Sequence, residues 1–248
     1  MTNVQGMKTL VAACALFAFL TTVRAGDSAA SVVNNYGNLP SSFEANLGQI
    51  DPQVRFLTRS AGYALFLTDT EAVAVLSRPS ATEGAPPQSS VIRLGFVGAN
   101  PAPDIVGVNQ LPGRANYLNG NQSFLNIPTY EQVQYQNLYA GIDALFCGLS
   151  RMEYCFTVNP GADPNVIRLS IQGADSITIQ PSGDLVLQTS AGEFILKAPI
   201  SYQETDGQRT VVPSQYTILS ENEIAFELGA YDTSKPLVID PVLVYMGF

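Results

Sequence analysis

The sequence predicts an all-β fold, an antiparallel β-sandwich, single or double, that is built from successive hairpins and contains very little helix. Apolar and polar residues alternate along most of the chain, and alternation with period two is typical of strands that bury one face. Turn-forming residues recur at short intervals, in keeping with 20 Gly and 16 Pro among 248 residues. Because 46% of the residues are apolar, the chain can bury enough surface to offset the entropy of ordering its backbone.

The first 25 residues are predicted to be a secretory signal peptide. Lys8 precedes the apolar run Leu10–Leu20, which is too short to span a membrane comfortably. Small residues surround a cleavage site between Ala25 and Gly26. An uncleaved anchor is the alternative. Cleavage predicts a secreted protein, extracellular, at the cell surface or in the periplasm, that keeps no stable membrane anchor.

The mature chain is predicted to consist of a disordered lead-in, residues 26–36, and a single β-sandwich domain, residues 37–248. Early in this domain the turns at Ala61-Gly62 and Asp69-Thr70 separate three predicted strands. The segment Ser77–Ser90 holds three prolines and almost no bulky side chain, so we expect an exposed loop there. The strand pattern resumes directly after this loop. The alternating apolar residues are Val54, Phe56, Tyr63, Leu65, Leu67, Val73 and Val75.

From Val166 onward the sequence predicts a series of antiparallel hairpins. Short alternating runs are separated by turn residues, and Asp206-Gly207 is a favoured tight-turn pair. Tyr130–Tyr139 fits a short helix or a strand equally well. The apolar tail Leu237–Phe248 either closes the sheet or donates a strand to another subunit, because a free apolar edge invites pairing. The predicted turns lie at residues 173–175, 181–184, 190–192, 206–207 and 220–222.

The composition excludes several classes of function. The chain contains no His, which excludes Ser-His-Asp and Cys-His nucleophile systems and every histidine-based metal site. Loss of the leader would remove Lys8 and Arg24, so the 12 basic residues fall to 10 and the mature charge is 10 − 21 = −11. We expect no binding to nucleic acid or anionic lipid, since contacts to phosphates require clustered Lys and Arg.

Cys147 and Cys155 flank a segment that resembles the tip of a hairpin. If the loop centres on Arg151, the two cysteines face each other and could form a disulfide in an oxidising compartment. If the loop comprises only residues 148–151, they lie on opposite faces and cannot. The alternative to a disulfide is a pair of small apolar residues in the strands.

The acidic residues Asp143 and Glu153 lie on the two arms of this predicted hairpin. Paired carboxylates can cleave glycosides, so these two residues are the candidates for a catalytic pair. The simpler interpretation is that Asp143 caps a turn after Gly141 and Glu153 pairs with an arginine across the sheet. Because acidic pairs arise often by chance in an acidic chain, we favour the simpler interpretation and predict no catalytic residue.

A polar cluster follows Phe43 and could bind calcium at the surface. Glu44, Asn46 and Asp51 supply the oxygen ligands that calcium prefers, and Gln49 lies between them. Clusters of this kind more often satisfy their own turn through hydrogen bonds from side chain to backbone. No full calcium-loop pattern is present, so no cofactor is predicted apart from this surface calcium.

Four blocks of sequence resemble an uncharacterised β domain found at the N-terminus of secreted bacterial proteins that carry SBBP (seven-bladed β-propeller) repeats, here without the repeats. The resemblance spans roughly residues 39–245 and implies an extracellular module with no known catalytic residues. Cys147 and Cys155 occupy positions where Tyr and Asp are expected, and Ala140 replaces a usual Pro. The blocks are Phe43–Gln49 with Asp51, Val54–Leu57, Gly62-Tyr63 and Phe66–Thr68; Gly98–Pro101, Leu111–Gly113 and Asn116-Tyr117; Tyr139–Asp143, Glu153-Tyr154 and Pro160–Pro164; and Tyr231-Asp232 with Pro236–Pro241.

Together these observations predict a secreted, non-catalytic β module for cell-surface assembly or recognition, whose partner is another protein or a surface glycan. The alternative is a carboxylate-dependent extracellular glycan hydrolase that uses Asp143 and Glu153.

Overall fold

The computed structural model describes residues 42–60, 62–78, 87–119, 122–148 and 152–246, which all belong to one compact unit. They form nineteen β-strands and one 3₁₀ turn, Pro164–Val166, with no α-helix, so the all-β prediction is confirmed. The predicted signal peptide with Ala25 and Gly26, the lead-in and residues 79–86 of the predicted loop lie outside these residues. Residues 77–78 and 88–90, at the two ends of the predicted loop 77–90, belong to two strands that pair with each other, so the loop prediction was wrong there. The strands are β1 (Phe43–Ala45), β2 (Val54–Ser60), β3 (Tyr63–Thr68), β4 (Glu71–Arg78), β5 (Gln88–Val97), β6 (Asp104–Asn119), β7 (Gln122–Tyr139), β8 (Ile142–Cys147), β9 (Met152–Val158), β10 (Arg168–Gln172), β11 (Ser176–Ile179), β12 (Leu185–Thr189), β13 (Gly192–Leu196), β14 (Ile200–Thr205), β15 (Gln208–Val212), β16 (Ser214–Ser220), β17 (Glu223–Leu228), β18 (Leu237–Asp240) and β19 (Val242–Met246).

Most of the predicted hairpins form. β2 to β5 make a continuous meander, and β11–β12, β12–β13, β14–β15 and β16–β17 pair across the predicted turns. The turn at 173–175 is the exception, because β10 pairs with β5 and β17 and not with β11. Gly173, at φ +87°, lies so close to β5 that a Cβ would overlap the carbonyl oxygen of Val91. A close approach of this kind requires glycine.

The sheet branches at β7. One edge of this strand pairs with β6, while the other edge pairs first with β1 and then with β8. The segment Tyr130–Tyr139 belongs to β7, so it is a strand and not a helix. The strands form one hydrogen-bonded network whose main antiparallel run curls nearly into a barrel. This curl lets one face of many strands enclose a shared core.

The apolar tail pairs within its own chain. β18 lies between β9 and β14, and β19 lies between β9 and β13, with Pro241 at the break between them. Leu237 and Ile239 are fully buried in the core. Donation of this tail to another subunit would therefore require these ladders to open.

A chain of aromatic contacts crosses the core. Neighbouring ring centroids lie 5.4–6.5 Å apart, within the range of favourable aromatic pairs. Burial raises the pKa of Tyr135 and Tyr154 well above the usual range, so both phenols stay neutral. The Tyr135 hydroxyl donates to the carbonyl oxygen of Thr68 at 2.8 Å. The contacting residues are Phe96, Tyr135, Phe146, Tyr154, Phe156, Phe226 and Tyr216.

Beside this aromatic chain lies a small apolar cavity of about 20 Å³. Its walls come from strands that are far apart in sequence, so the packing of these strands decides its size. A void of this volume lets a large-to-small substitution enlarge a space that is already present. The lining residues are Leu65, Ala72, Ala74, Ile92, Leu94, Phe146, Tyr154, Leu187 and Phe194.

Leu187→Ala should lower the free energy of unfolding by about 3–5 kcal/mol, because the fully buried side chain borders the cavity and the space it leaves cannot collapse. Val211→Ala is the control: Val211 is 71% exposed on β15, and its replacement should change stability by less than about 0.5 kcal/mol. Urea unfolding measures both. Equal losses in the two variants would contradict the packing described for Leu187.

Candidate functional site: a groove beside the first turn

The polar cluster after β1 forms a turn that satisfies itself. Asn46 Nδ2 donates to the carbonyl oxygens of Asp51 and Val54, at 2.8 Å each. Asn46 Oδ1 accepts from the backbone N–H groups of Gly48 at 3.0 Å and Ile50 at 3.4 Å. One amide thus bonds the turn at four points, as side chains of this type often do.

The remaining members of the cluster are also engaged. Gln49 Oε1 accepts from the Leu47 N–H at 2.7 Å, and its Nε2 donates to the Ala45 carbonyl oxygen at 2.8 Å. Asp51 Oδ1 accepts from the Gln53 N–H at 2.9 Å. These bonds make the turn rigid, since they fix the side chains together with the backbone.

Glu44 faces away from this turn. Its carboxylate accepts from the Tyr117 hydroxyl and lies 3.6 Å from the guanidinium of Arg59. The side-chain oxygens of Glu44, Asn46 and Asp51, the candidate calcium ligands, therefore accept from different donors and do not converge on one point. No group of three or more His, Cys, Asp or Glu in the described ranges is arranged to hold a metal ion.

A groove of about 360 Å³ lies beside the turn. Apolar side chains supply most of its wall, and the Arg55 guanidinium at its rim makes two bonds to the Asp69 carboxylate, at 2.8 and 3.1 Å. Gly48, at φ +106°, occupies a conformation that favours glycine, and a Cβ there would lie 3.3 Å from Cε1 of Phe124. The lining residues are Ala45, Asn46, Gly48, Pro52, Val54, Arg55, Phe56 and Ile105.

The sequence analysis singled out one residue of this groove as a candidate for binding. Asn46 belongs to the predicted polar cluster, whereas Ile105 reaches the groove from β6, about 50 residues further along the chain. Arg55, Asp69 and Ile105 carry no local pattern that distinguishes them from ordinary strand residues. Only the pairing of β1 with β2 and β7 brings these segments together.

The two candidate catalytic acids are not brought together. Asp143 pairs with Thr157 and Glu153 with Cys147, which places the acids four residues apart along the ladder, or about 13 Å. Glycosidase carboxylates lie only about 5–9.5 Å apart. Asp143 instead accepts from the Gln134 amide at 3.2 Å and from the Asn137 N–H at 2.7 Å.

Glu153 is close to another acid, Asp240. Glu153 pairs with Val242 of β19, and Asp240 lies two residues before Val242 in the chain. Burial raises the pKa of Asp240 to about 6, with the Glu153 carboxylate acting in the same direction and Arg209 against it. The protein therefore holds a partly buried carboxylate ionised at neutral pH.

The two cysteines share one face of the β8–β9 pair but are not opposite each other. Cys147 pairs with Glu153 and Cys155 with Leu145, so the thiols are diagonal neighbours. Diagonal Cα atoms lie about 7–8 Å apart, beyond the usual span of a disulfide. The thiols are not joined by a disulfide, and Cys147 Sγ accepts from the Gln132 amide at 3.4 Å. A loop centred on Arg151 would have paired Cys147 with Cys155, and a loop of residues 148–151 would have paired Cys147 with Met152. The observed partner of Cys147 is Glu153, so neither predicted loop matches the register of β8 and β9.

Asp240→Asn should raise the free energy of unfolding at pH 7 by roughly 2 kcal/mol, because the variant has no buried carboxylate to ionise. Since the folded-state pKa of about 6 exceeds the ordinary 3.8, the stability that Asp240 contributes is fully present below about pH 4 and is lost as the pH rises through about 6. The two proteins should therefore be equally stable below about pH 4. Urea unfolding across this pH range provides the measurement.

Glu153→Gln is the control for this prediction. In this variant the free energy of unfolding should fall less between pH 4 and pH 7 than in the wild type, because the Glu153 charge is gone. The fall should not vanish, because burial still raises the pKa of Asp240. A gain in stability for Asp240→Asn that is the same at pH 4 and pH 7 would show that ionisation is not its cause.

Comparison with known proteins places the chain in a family without assigning it an activity. Within the described residues no helix is long and apolar enough to cross a membrane. No curated protein and no solved structure matches the chain. A family model described as "Domain of unknown function (DUF7948)" matches residues 43–242, which is 200 of the 248 residues. The chain therefore belongs to the DUF7948 family, whose domain comprises the strands from β1 to the start of β19 and includes the groove.

Proposed function

We propose that this protein is a secreted, non-catalytic recognition module that binds an extended segment of another protein in the groove beside the first turn. The observation that carries this proposal is the groove itself. It has about 360 Å³ of space, apolar walls and a turn fixed by its own hydrogen bonds. A preformed site of this kind binds without the cost of ordering its own loop.

The chemistry of the groove favours an apolar side chain as its occupant. The Asn46 amide is hydrogen-bonded to backbone groups of the turn, and the Arg55 guanidinium is paired with the Asp69 carboxylate. Because these two polar groups of the lining already have hydrogen-bond partners, the binding energy would come mainly from apolar contact with Val54, Phe56 and Ile105.

A protein segment fits this surface better than a glycan. Sugars are commonly bound against exposed aromatic rings, whose faces are apolar and whose hydroxyls can hydrogen-bond. Five tyrosines lie between residues 117 and 154, in the middle of the chain. Three of them fill the core and are at most 3% exposed, namely Tyr135, Tyr139 and Tyr154. The glycan hydrolase alternative receives no support from the separation of Asp143 and Glu153.

The sequence supports an extracellular location for this activity. The leader predicts secretion, and the resemblance to the domain that precedes SBBP repeats suggests a role at the cell surface. Membership of a domain family without assigned activity is compatible with a binding role.

The test selects phage-displayed peptides on the wild-type protein and measures their affinity for groove variants. Pro52→Glu places a charge at the exposed rim of the apolar groove and should weaken the selected peptides by about tenfold or more. Pro181→Glu is the matched control, since Pro181 is also an exposed turn proline but lies between β11 and β12, outside the groove lining.

Peptides that bind Pro52→Glu as tightly as the wild type, or a library that yields no binder, would refute the proposal. Hydrolysis of soluble polysaccharides that is lost in Asp143→Asn and Glu153→Gln would instead establish the hydrolase.

A further inference from the structure

Gln132 and Cys147 face each other across β7 and β8. The two residues are directly opposite in the antiparallel ladder, and Nε2 of Gln132 lies 3.4 Å from Sγ of Cys147. Opposite residues have Cβ atoms about 4.5–5.5 Å apart. The sheet itself therefore holds a carboxamide and a thiol in contact, and no loop has to move to bring them together.

The hydrogen bonding of Gln132 does not account for its burial. Gln132 is 2% exposed, and within the described residues its side chain makes one hydrogen bond, to the sulfur. Sulfur is a weak acceptor. Gln203 is the comparison, at 7% exposed. Its amide bonds to the backbone of Asp232, Lys235 and Pro236, so its role is structural.

The Cys147 thiol lies between an amide and a carboxylate. Glu153 is directly opposite Cys147 on β9, just as Gln132 is on β7. Opposite residues of a sheet project from the same face, so the three side chains form one row across the strands. Cys147 forms no disulfide and is only half-buried, whereas Gln132 is closed off from solvent.

We propose that Cys147 and Gln132 form an internal thioester. Sγ attacks Cδ of Gln132, the Sγ–Cδ bond forms, the Cδ–Nε2 bond breaks and the nitrogen leaves as ammonia. The Glu153 carboxylate takes the thiol proton and passes it to the departing nitrogen. Three atoms, Sγ, Cδ and Cγ, then join the two Cβ atoms and span about 5 Å, so the strands keep their places.

The sheet supplies what this reaction lacks in solution. Groups that are held in one geometry react as if at effective concentrations of up to about 10⁵–10⁸ M. An amide is more stable than a thioester, but ammonia escapes into the solvent, and its dilution draws the reaction forward. The burial of Gln132 then protects the new bond, because hydrolysis requires water at Cδ.

The thioester attaches the protein covalently to a primary amine, such as the side chain of a lysine in another protein. The amine nitrogen attacks Cδ, a new amide bond forms, and Sγ of Cys147 leaves as a thiol. The half-buried sulfur gives the amine a route to Cδ. The net charge of −9 favours the approach of a cationic side chain. Each molecule reacts once, so the result is attachment and not turnover.

The experiment measures the intact mass of the purified chain and its reaction with methylamine. The wild type should be about 17 Da lighter than the residues it retains require, which is the mass of the lost ammonia. Methylamine should add about 31 Da at Gln132 and release one thiol. Cys147→Ser should show neither change. Cys155→Ser is the matched control, because Cys155 is the free cysteine of the neighbouring strand β9, and it should behave like the wild type.

A second variant guards against misfolding as the cause. Gln132→Met keeps the volume of the side chain and removes its carbonyl carbon, so it should also keep the full mass while unfolding in one thermal transition. Glu153→Gln should contain a smaller fraction of the lighter form, since the proton carrier is gone.

A wild type of full mass that takes up no methylamine would overturn the proposal, and so would a loss of mass that persists in Cys147→Ser. The inference does not rest on binding in the groove. Pro52→Glu leaves the row of Gln132, Cys147 and Glu153 intact and should show the same loss of mass as the wild type, which separates the two proposals.

Discussion

The structure depends on the burial of one continuous apolar face by a sheet that must curl to enclose it. The aromatic contacts from Phe96 to Tyr216 join six strands, β5, β7, β8, β9, β16 and β17, that are spread over more than half of the chain. A flat sheet could not bring these rings into contact. The curl is therefore set by the core, and the pairings of β10 with β5 and of β18 with β9 follow from it.

The same curl explains why the candidate site is an apolar groove and not a cluster of reactive side chains. β1 is only three residues long, and it is held between β2 and β7. This position leaves the turn after β1 at the surface. There the side chains of Asn46 and Gln49 donate hydrogen bonds to backbone carbonyl oxygens of Asp51 and Ala45. The acids that the sequence singled out are used in similar ways, since Asp143 and Asp51 both accept backbone N–H groups. What remains available for binding is apolar surface.

β6 and β7, of 16 and 18 residues, pair with each other in a long hairpin. Both strands extend beyond the β7–β8 pairing, and two register shifts along them allow the hairpin to bend. Asn109 and Asn126, at φ 55° and 61°, lie near these irregularities, where asparagine tolerates the left-handed conformation better than most residues. Tyr117 and Arg59 then bind the bent hairpin to β2.

The sequence by itself determined the strand class and most of the local turns, because alternation and turn residues act over a few neighbours. Asp206-Gly207 is such a case, with both residues at positive φ between β14 and β15. The sequence also indicated that the polar cluster would satisfy its own turn. Tertiary structure alone decided which strands meet across long separations, and with them the partner of β10, the diagonal offset of Cys147 and Cys155, the distance between Asp143 and Glu153 and the presence of Ile105 in the groove. These features depend on how a single core is closed, and a closed core is a property of the whole chain that no local pattern carries.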